Sequence, residues 1–225
     1  MRVPKNSAPI RLWASVKIAL SLVGFFSAAA GVQCAEPSTN PVSLFNGKDL
    51  TGWAVSGFAA GGEVKVEDKQ IIIGMGEMLT GVTLTNLTLL PHGDYEVTLE
   101  AKRIDGGDFF CGLTFPVAKS SCSLIVGGWG GGLVGLSSID GFDASENSTT
   151  KVMAFDKNHW YHIRLRVTEK NIQCWIDQEQ IIDVDIEGKR ISLRLGEIYR
   201  SEPFGIATYQ TRAAIRNLAW RPVHP

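Results

Sequence analysis

Strict two-residue alternation of apolar and polar side chains is the feature that most constrains this chain. In Tyr95-Glu-Val-Thr-Leu-Glu-Ala101, the residues Tyr95, Val97, Leu99 and Ala101 share one face. From Trp160 to Thr168, Tyr161, Ile163, Leu165 and Val167 take one face, and His162, Arg164 and Arg166 take the other. From Asn171 to Asp177, Ile172, Cys174 and Ile176 alternate with Gln173 and Trp175. A period of two is that of a strand with one buried face, and no helix can satisfy it. The short Glu169-Lys170 link makes the last two runs a hairpin, and 180–185 returns as a further strand. Shorter strands are predicted at 64–67, 70–74, 108–115, 122–127, 133–137, 204–209 and 213–220. Helical periodicity is almost absent. Many short strands separated by turn residues predict an all-β chain, a two-sheet antiparallel β-sandwich.

The N-terminus carries a different signal. Arg2, Lys5, Arg11 and Lys17 form a basic segment, followed by an apolar run from Ile18 to Ala30 that ends in three alanines. That run is about 13 residues, short of the roughly 20 needed to span a bilayer. Basic segment, short apolar segment and small-residue exit are the parts of a secretory signal, with cleavage after Ala30 or Cys34. Residues 1–35 are therefore expected to be a signal peptide with the start of a short linker, 36–41 the linker, and 42–225 one β-sandwich domain. The expected location is secreted or periplasmic, with no transmembrane segment once the signal is removed.

Net charge is −1 with acids and bases interspersed, which argues against a nucleic-acid partner. The 24 glycines fall in clusters, as many tight turns require. Cys111, Cys122 and Cys174 show no zinc-binding spacing. An oxidising compartment would permit Cys111 and Cys122 to pair across a hairpin at 116–119; the alternative is three small buried hydrophobes.

Three strings carry a family resemblance. Leu44-Phe-Asn-Gly-Lys-Asp-Leu-Thr-Gly-Trp53 resembles the opening of the 3-keto-disaccharide hydrolase domain family, formerly a domain of unknown function. Phe204-Gly-Ile206 and Ile215-Arg-Asn-Leu218 resemble its closing strands, so the likeness runs from about Val42 to Pro222. The resemblance implies a concanavalin-A-like, laminin-G-like jelly roll and an activity on sugars oxidised at carbon 3. A carbonyl at C3 acidifies the C2 hydrogen, so a base can remove it while the glycosidic group leaves from C1. Such a site needs a base, a cation or hydrogen-bond donor at the C3 oxygen, and an acid for the leaving oxygen. No cofactor is established by the sequence, and a divalent metal is one way of serving several of these roles. Many relatives read Gly-Leu-Gln-Asp-His-Gly before the final strand. Here Thr208 and Tyr209 stand at the aspartate and histidine positions, so the same pair cannot do the same chemistry.

Candidate site residues follow from the alternation. His162, Arg164 and Arg166, with Gln173 and Trp175 on the neighbouring strand, would form one polar-aromatic patch if the hairpin pairs. That mixture suits a sugar, an aromatic ring covering its apolar face and planar polar groups taking its hydroxyls. His162, Arg164, Arg166 and Tyr209 are the candidate catalytic residues; Trp129, Gln173, Trp175 and Gln210 are the candidate substrate-binding residues. Trp129 lies in Gly127-Gly-Trp-Gly-Gly-Gly132, which is no phosphate loop because no Gly-Lys-Ser/Thr follows. Asp140, Asp143 and Glu146 are oxygen ligands that could hold calcium. A two-carboxylate glycosidase is disfavoured: Glu96 and Glu100 share a strand face but lie about 13 Å apart. Asp108, Glu197 and Glu202 are further carboxylates whose proximity spacing does not reveal. The sequence thus leaves open an enzyme acting on 3-keto-glycosides, a non-catalytic glycan-binding module, and an envelope interaction domain.

Overall fold

The computed structural model describes residues 40–223; the expected signal peptide lies outside the described residues. Two antiparallel sheets pack face to face. The larger one contains β1 (Val42–Ser43), β3 (Val64–Glu67), β4 (Gln70–Ile73), β6 (Tyr95–Gly106), β11 (Tyr161–Val167), β12 (Asn171–Ile176), β13 (Glu179–Asp185) and β15 (Thr211–Pro222). Its order is β13-β12-β11-β6-β15-β4-β3, with β1 also paired to β15. The smaller one contains β2 (Trp53–Val55), β5 (Leu79–Leu84), β7 (Cys111–Val117), β8 (Ser120–Gly128), β9 (Leu133–Ser137), β10 (Lys151–Val152) and β14 (Gly205–Tyr209). It runs β10-β9-β8-β7-β14-β5-β2. Consecutive strands repeatedly switch sheets, as in a jelly roll.

The inward faces are those the alternation marks. Val97, Leu99 and Ala101 of β6, Ile163 and Leu165 of β11, and Leu113, Phe115, Leu124, Val126 and Ile206 of the opposite sheet are wholly buried in one core. Burial of a side chain of this size is worth about 1.5–3 kcal/mol each, and here both sheets supply such side chains.

Two of the strings that carry the resemblance, Leu44 to Trp53 and Ile215 to Leu218, turn out to be neighbours. Asn46 Oδ1 accepts from the backbone N–H groups of Lys48 and Asp49, and Asp49 Oδ1 accepts from Thr51 N–H. The hydrogen bond from the Asn46 amide, with those from Thr51, lowers the Asp49 carboxyl to about 2. This turn leads to Trp53, which is buried and donates its indole N–H back to the Leu44 carbonyl at 2.7 Å. Leu44 N–H in turn donates to the Leu218 carbonyl, while Val42 and Ser43 pair with Trp220 and Ala219. In Ile215-Arg-Asn-Leu218 the strand bulges between Arg216 and Ala219, with Asn217 at φ 53°. Both strings therefore build one corner of the larger sheet.

The cysteine pairing is not formed. Cys122 sits opposite Phe115 in the β7–β8 register, four residues along from Cys111, which separates the two by about 13 Å. Cys111, Cys122 and Cys174 are free and buried. Burial pushes the Cys111 and Cys122 thiols up to about 12 and raises Cys174 in the same direction. These thiols are expected to resist alkylation in the native protein and to react in denaturant, with identical reducing and non-reducing peptide maps across 111, 122 and 174. A disulfide-linked peptide would contradict this.

On the outer face of the larger sheet, Glu96 is only 2% exposed and is held by three guanidinium groups. Arg164 and Arg166 donate to its Oε2, and Arg221 donates to Oε1 at 3.1 and 2.7 Å. Burial works to raise the Glu96 carboxyl; the hydrogen bonds from Arg221, Arg166 and Arg164 outweigh it and hold the group below its ordinary value of 4.5. A lowered folded-state value stabilises the protein above the ordinary value, and the contribution is lost as pH falls from there through the lower folded-state value. Glu96→Gln is therefore expected to destabilise the fold by about 1–3 kcal/mol near neutrality. Denaturant unfolding of both proteins from pH 7 downward should show the gap closing below about pH 4.5. A gap that stays constant would remove the charge cluster from the account.

Candidate functional site

The outer face of the smaller sheet is shaped by a row of small residues at strand centres. Gly81 of β5 lies opposite Ala207 of β14, Ala207 opposite Gly112 of β7, Gly112 opposite Ile125 of β8, and Ile125 opposite Gly135 of β9. A glycine inside a strand often marks a close approach by another group. At Gly112 a Cβ would come within 2.9 Å of the Phe109 ring, so glycine lets that ring lie against the sheet. Phe58, Ile198 and Ala207 form a second, smaller apolar cluster here, with Leu79, Phe109 and Leu193 packed on it.

The chain from β13 to β14, residues 186–204, supplies one wall. Together these segments enclose a cleft of about 440 Å³. Its apolar lining includes Met78, Leu79, Phe109, Ile125, Trp129 and Tyr209, and its polar lining Asp108, Ser123, Ser137, Arg194 and Glu197. The size is that of a pocket for a small organic ligand.

Each polar group is held by specific contacts. Tyr209 stacks on Phe109 with ring centroids 5.9 Å apart, and its hydroxyl lies 3.4 Å from Met78 Sδ. Arg194 Nε pairs with Asp143 Oδ2 at 3.1 Å, and its guanidinium lies 5.7 Å from the Trp129 ring centroid. Glu197 Oε2 accepts from Ala59 N–H at 3.1 Å, and Oε1 lies 3.6 Å from Arg200 Nε. Asp108 accepts from its neighbour Phe109 N–H at 2.7 Å and from Gly130 N–H at 3.0 Å, which ties it to the turn bearing Trp129. Trp129 is 42% exposed at φ 48°.

Behind that turn, at the inner end of β6, sits Arg103. It is buried and faces no carboxylate within ion-pair distance among the described residues. Instead it donates to the carbonyls of Phe155, Asp108, Gly127 and Gly131, and lies over the Phe110 ring at 5.1 Å. Burial lowers its basicity while the nearby Asp108 charge works against that. Gly127, at φ 79°, is required beside it, since a Cβ there would lie 2.5 Å from the guanidinium. Arg103 thus fastens the Asp108 and Trp129 segments to the core.

The structure divides the residues singled out by the sequence. Trp129 and Tyr209 line the cleft, as do Asp108 and Glu197, whose proximity the spacing could not give. Gln210 lies beside it, its amide donating to the Glu77 carbonyl at 2.9 Å. Thr208 points into the core at 1% exposure, so of the two departing positions only Tyr209 faces the cleft. His162, Arg164, Arg166, Gln173 and Trp175 do form one patch, with Arg164 opposite Trp175 and Arg166 opposite Gln173. That patch covers the outer face of the other sheet, and sheets of a sandwich lie about 10 Å apart, so no small ligand touches both it and the cleft. Glu202 is exposed and outside the cleft lining.

The calcium candidates Asp140, Asp143 and Glu146 do not come together as one ligand set. Asp143 is engaged by Ser137, Ser138 and Arg194, and Asp140 by the Arg190 backbone. Among the described residues no three His, Cys, Asp or Glu side chains converge as metal ligands. Sequence reasoning missed Arg194, Phe109 and Met78. The signal that could have found their neighbourhood is the glycine at strand centres 81, 112 and 135.

Arg103→Lys keeps the charge but loses the planar fork. It is expected to lower stability by about 2–4 kcal/mol, because buried carbonyls lose their donor. Limited proteolysis should then cut selectively in 127–132; uniform cleavage along the chain would remove Arg103 from this role.

The family described as the 3-keto-alpha-glucoside-1,2-lyase-like domain matches the chain over residues 40–221. No curated protein sequence is significantly similar. Among solved structures, domain 4 of AbnA, an extracellular arabinanase from Geobacillus stearothermophilus in complex with arabinotriose, is similar at TM-score 0.51 and 15% identity, covering 82% of this chain and 91% of that one. The Crh5 transglycosylase is similar at TM-score 0.53 and 9% identity, covering 83% and 85%. A Bacillus subtilis protein of galectin-like fold is similar at TM-score 0.51 and 10% identity, covering 76% and 90%. At such identities these structures show a shared jelly-roll fold. The family match spans both the sheet corner and the cleft, and the chain belongs to the 3-keto-alpha-glucoside-1,2-lyase-like domain family.

Proposed function

We propose that this chain is an exported carbohydrate-active domain that takes a 3-keto-glycoside into the cleft lined by Trp129 and Tyr209 and cleaves it by elimination. The observation that carries this reading is the chemical mixture in one cleft: aromatic rings, two carboxylates, a guanidinium and a phenol. Family membership supplies the substrate class. The basic and apolar segments at the N-terminus support export.

The chemistry assigns one role to each group. Glu197 is the base that takes the C2 proton, because Oε1 is engaged only loosely by Arg200, whereas both Asp108 side-chain contacts are backbone N–H groups. The C2–H electron pair moves into an enolate whose negative charge lies on the C3 oxygen, where Arg194 stabilises it. That pair then forms the C1–C2 double bond as the C1–oxygen bond breaks. The Tyr209 hydroxyl gives its proton to the departing oxygen, and the proton held by Glu197 restores the phenol through solvent. Trp129 covers an apolar face of the sugar.

A second reading, a glycan-binding module without turnover, is favoured by a specific feature. Asp108, Ser123 and Ser137 in the cleft are already hydrogen-bonded within the protein. The deciding experiment incubates the protein with a 3-keto-glucoside, with and without divalent metal, and follows release of the aglycone. Glu197→Gln and Tyr209→Phe are each expected to cut turnover at least about 100-fold. Trp129→Ala should weaken binding about three- to tenfold. Turnover unchanged in both chemical variants would dismiss this assignment of roles. No turnover at all, with glycan binding that depends on Trp129, would establish the module.

A further inference from the structure

The cleft leaves the arginine face of the larger sheet without a role. Across its three adjacent strands β11, β6 and β15, the outward residues include Arg164, Arg166, Arg216, Arg221 and Lys102. Three carboxylates face outward from these strands: Glu96, Glu100 and, at the far end of β6, Asp105, which lies opposite Arg212 and pairs with Lys157. Glu96 accepts from three guanidinium groups, and Glu100 from Arg216 and Asn217. The stripe therefore carries an excess of positive charge on a protein whose net charge is −1. Asp183 lies farther out, on edge strand β13, where Asn171, Gln173 and Gln180 hydrogen-bond it.

The cations are not withdrawn into the protein. The side chains of Arg164, Arg166 and Arg221 remain 31%, 35% and 44% exposed. Arg164 spends a single hydrogen bond on Glu96, so most of its five N–H groups stay available. Two indole rings lie in the same layer. Trp175 lies 3.7 Å beneath Arg164, and Trp160 lies 4.0 Å from Arg216 and 4.6 Å from Lys102. The rings hold the guanidinium planes in place, so binding would cost little further ordering.

The geometry points to a second binding surface on this face, for a linear polysaccharide bearing carboxylates, a polyuronate. Guanidinium groups bind carboxylates with paired N–H donors, and Arg166 and Arg221 each already place two on one oxygen of Glu96. Successive outward side chains lie about 7 Å apart along a strand and about 5 Å apart across strands, giving an extended charged ribbon rather than a pocket. Planar polar groups interleaved with indoles suit sugar rings better than a lipid headgroup layer. The surface would hold the domain on an acidic glycan while the cleft faces away on the other sheet.

The test measures binding of the full chain to polygalacturonate, which carries no ketone, so its result is independent of the cleft chemistry. Retention by polygalacturonate but not by neutral dextran is expected, falling about tenfold or more on going from low salt to about 0.5 M salt. Lys102→Glu, which removes no partner of Glu96 or Glu100 but gives up the Trp160 contact, should weaken binding about three- to tenfold in a protein that remains folded, and Arg221→Gln should weaken it further. Trp129→Ala in the cleft should leave it unchanged. Equal binding to neutral dextran would overturn the proposal. So would equal binding to anionic vesicles or duplex DNA, or unaltered polygalacturonate binding by folded Lys102→Glu.

Discussion

The pairing of β6 with β15 is the contact on which the rest of the molecule depends. Both strands have twelve residues, and their register runs from Tyr95 opposite Pro222 to Gly106 opposite Thr211. The inward side of this pair puts Val97, Leu99, Ala101, Ala213 and Ile215 into the core. Its outward side puts Glu96 beside Arg221 and Glu100 beside Arg216. Its two ends do different work. At one, Trp220 and Ala219 receive Val42 and Ser43, so the first strand closes on the last. At the other, Arg103 and Thr211 fasten the Asp108 segment: Thr211 Oγ1 accepts from Asp108 N–H and donates to its carbonyl. A sheet interaction of long sequence separation therefore both closes the sandwich and fixes the wall of the cleft on the opposite sheet.

Strands with one polar face were legible because alternation is a local property. Val64–Glu67 and Leu133–Ser137 occur with the predicted bounds, and the 161–167 and 171–176 hairpin pairs as the polar pattern required. β5 was not legible. In Leu79-Thr-Gly-Val-Thr-Leu84 threonine occupies both faces: Thr80 is buried, while Thr83 bonds Ser56 and the Arg200 carbonyl. Alternation vanishes when both faces of a strand are covered. β1, β2 and β10, of two or three residues each, are too short for any period to register.

The cleft was legible only in fragments, for a related reason. Trp129 in its glycine turn and Tyr209 at a departing position stood out by residue type. What assembles them does not lie near them in sequence: Tyr209 meets Met78 across 131 positions, and Ala59 meets Glu197 across 138. Glycine density was readable as turns, yet Gly81, Gly112 and Gly135 are strand residues: Gly112 admits the Phe109 ring, Gly135 the loop at Ala144, and Gly81 lies close against β14. The hairpin part of the arginine patch was legible, since a hairpin's register suffices to compose it, whereas Arg216, Arg221 and Lys102 join it from β15 and β6 by non-local pairing. Which side of the sandwich it would occupy relative to Tyr209 is a question of topology, and local pattern does not carry topology.

The family-bearing strings and the cleft therefore report on different things. Leu44 to Trp53 and Ile215 to Leu218 meet at one corner, where Trp53, Leu44 and Leu218 exchange backbone and indole hydrogen bonds. The closing of the larger sheet accounts for both of these strings and needs no chemistry. The departures at 208 and 209 lie on β14, in the smaller sheet. Strand alternation gives them unequal weight. Thr208 sits at the core face, with its hydroxyl buried and unpartnered, whereas Tyr209 meets the ligand space directly. A change at 208 reaches the cleft only through packing, and a change at 209 replaces the group that a substrate would touch. Of the two departing positions, then, only 209 puts its side chain into the cleft, where the Tyr209 hydroxyl lies beside Met78 and its ring stacks on Phe109. On the proposed reading, in which the Tyr209 phenol gives up a proton, that asymmetry is why the base is sought across the cleft, on the 186–204 segment that carries Glu197.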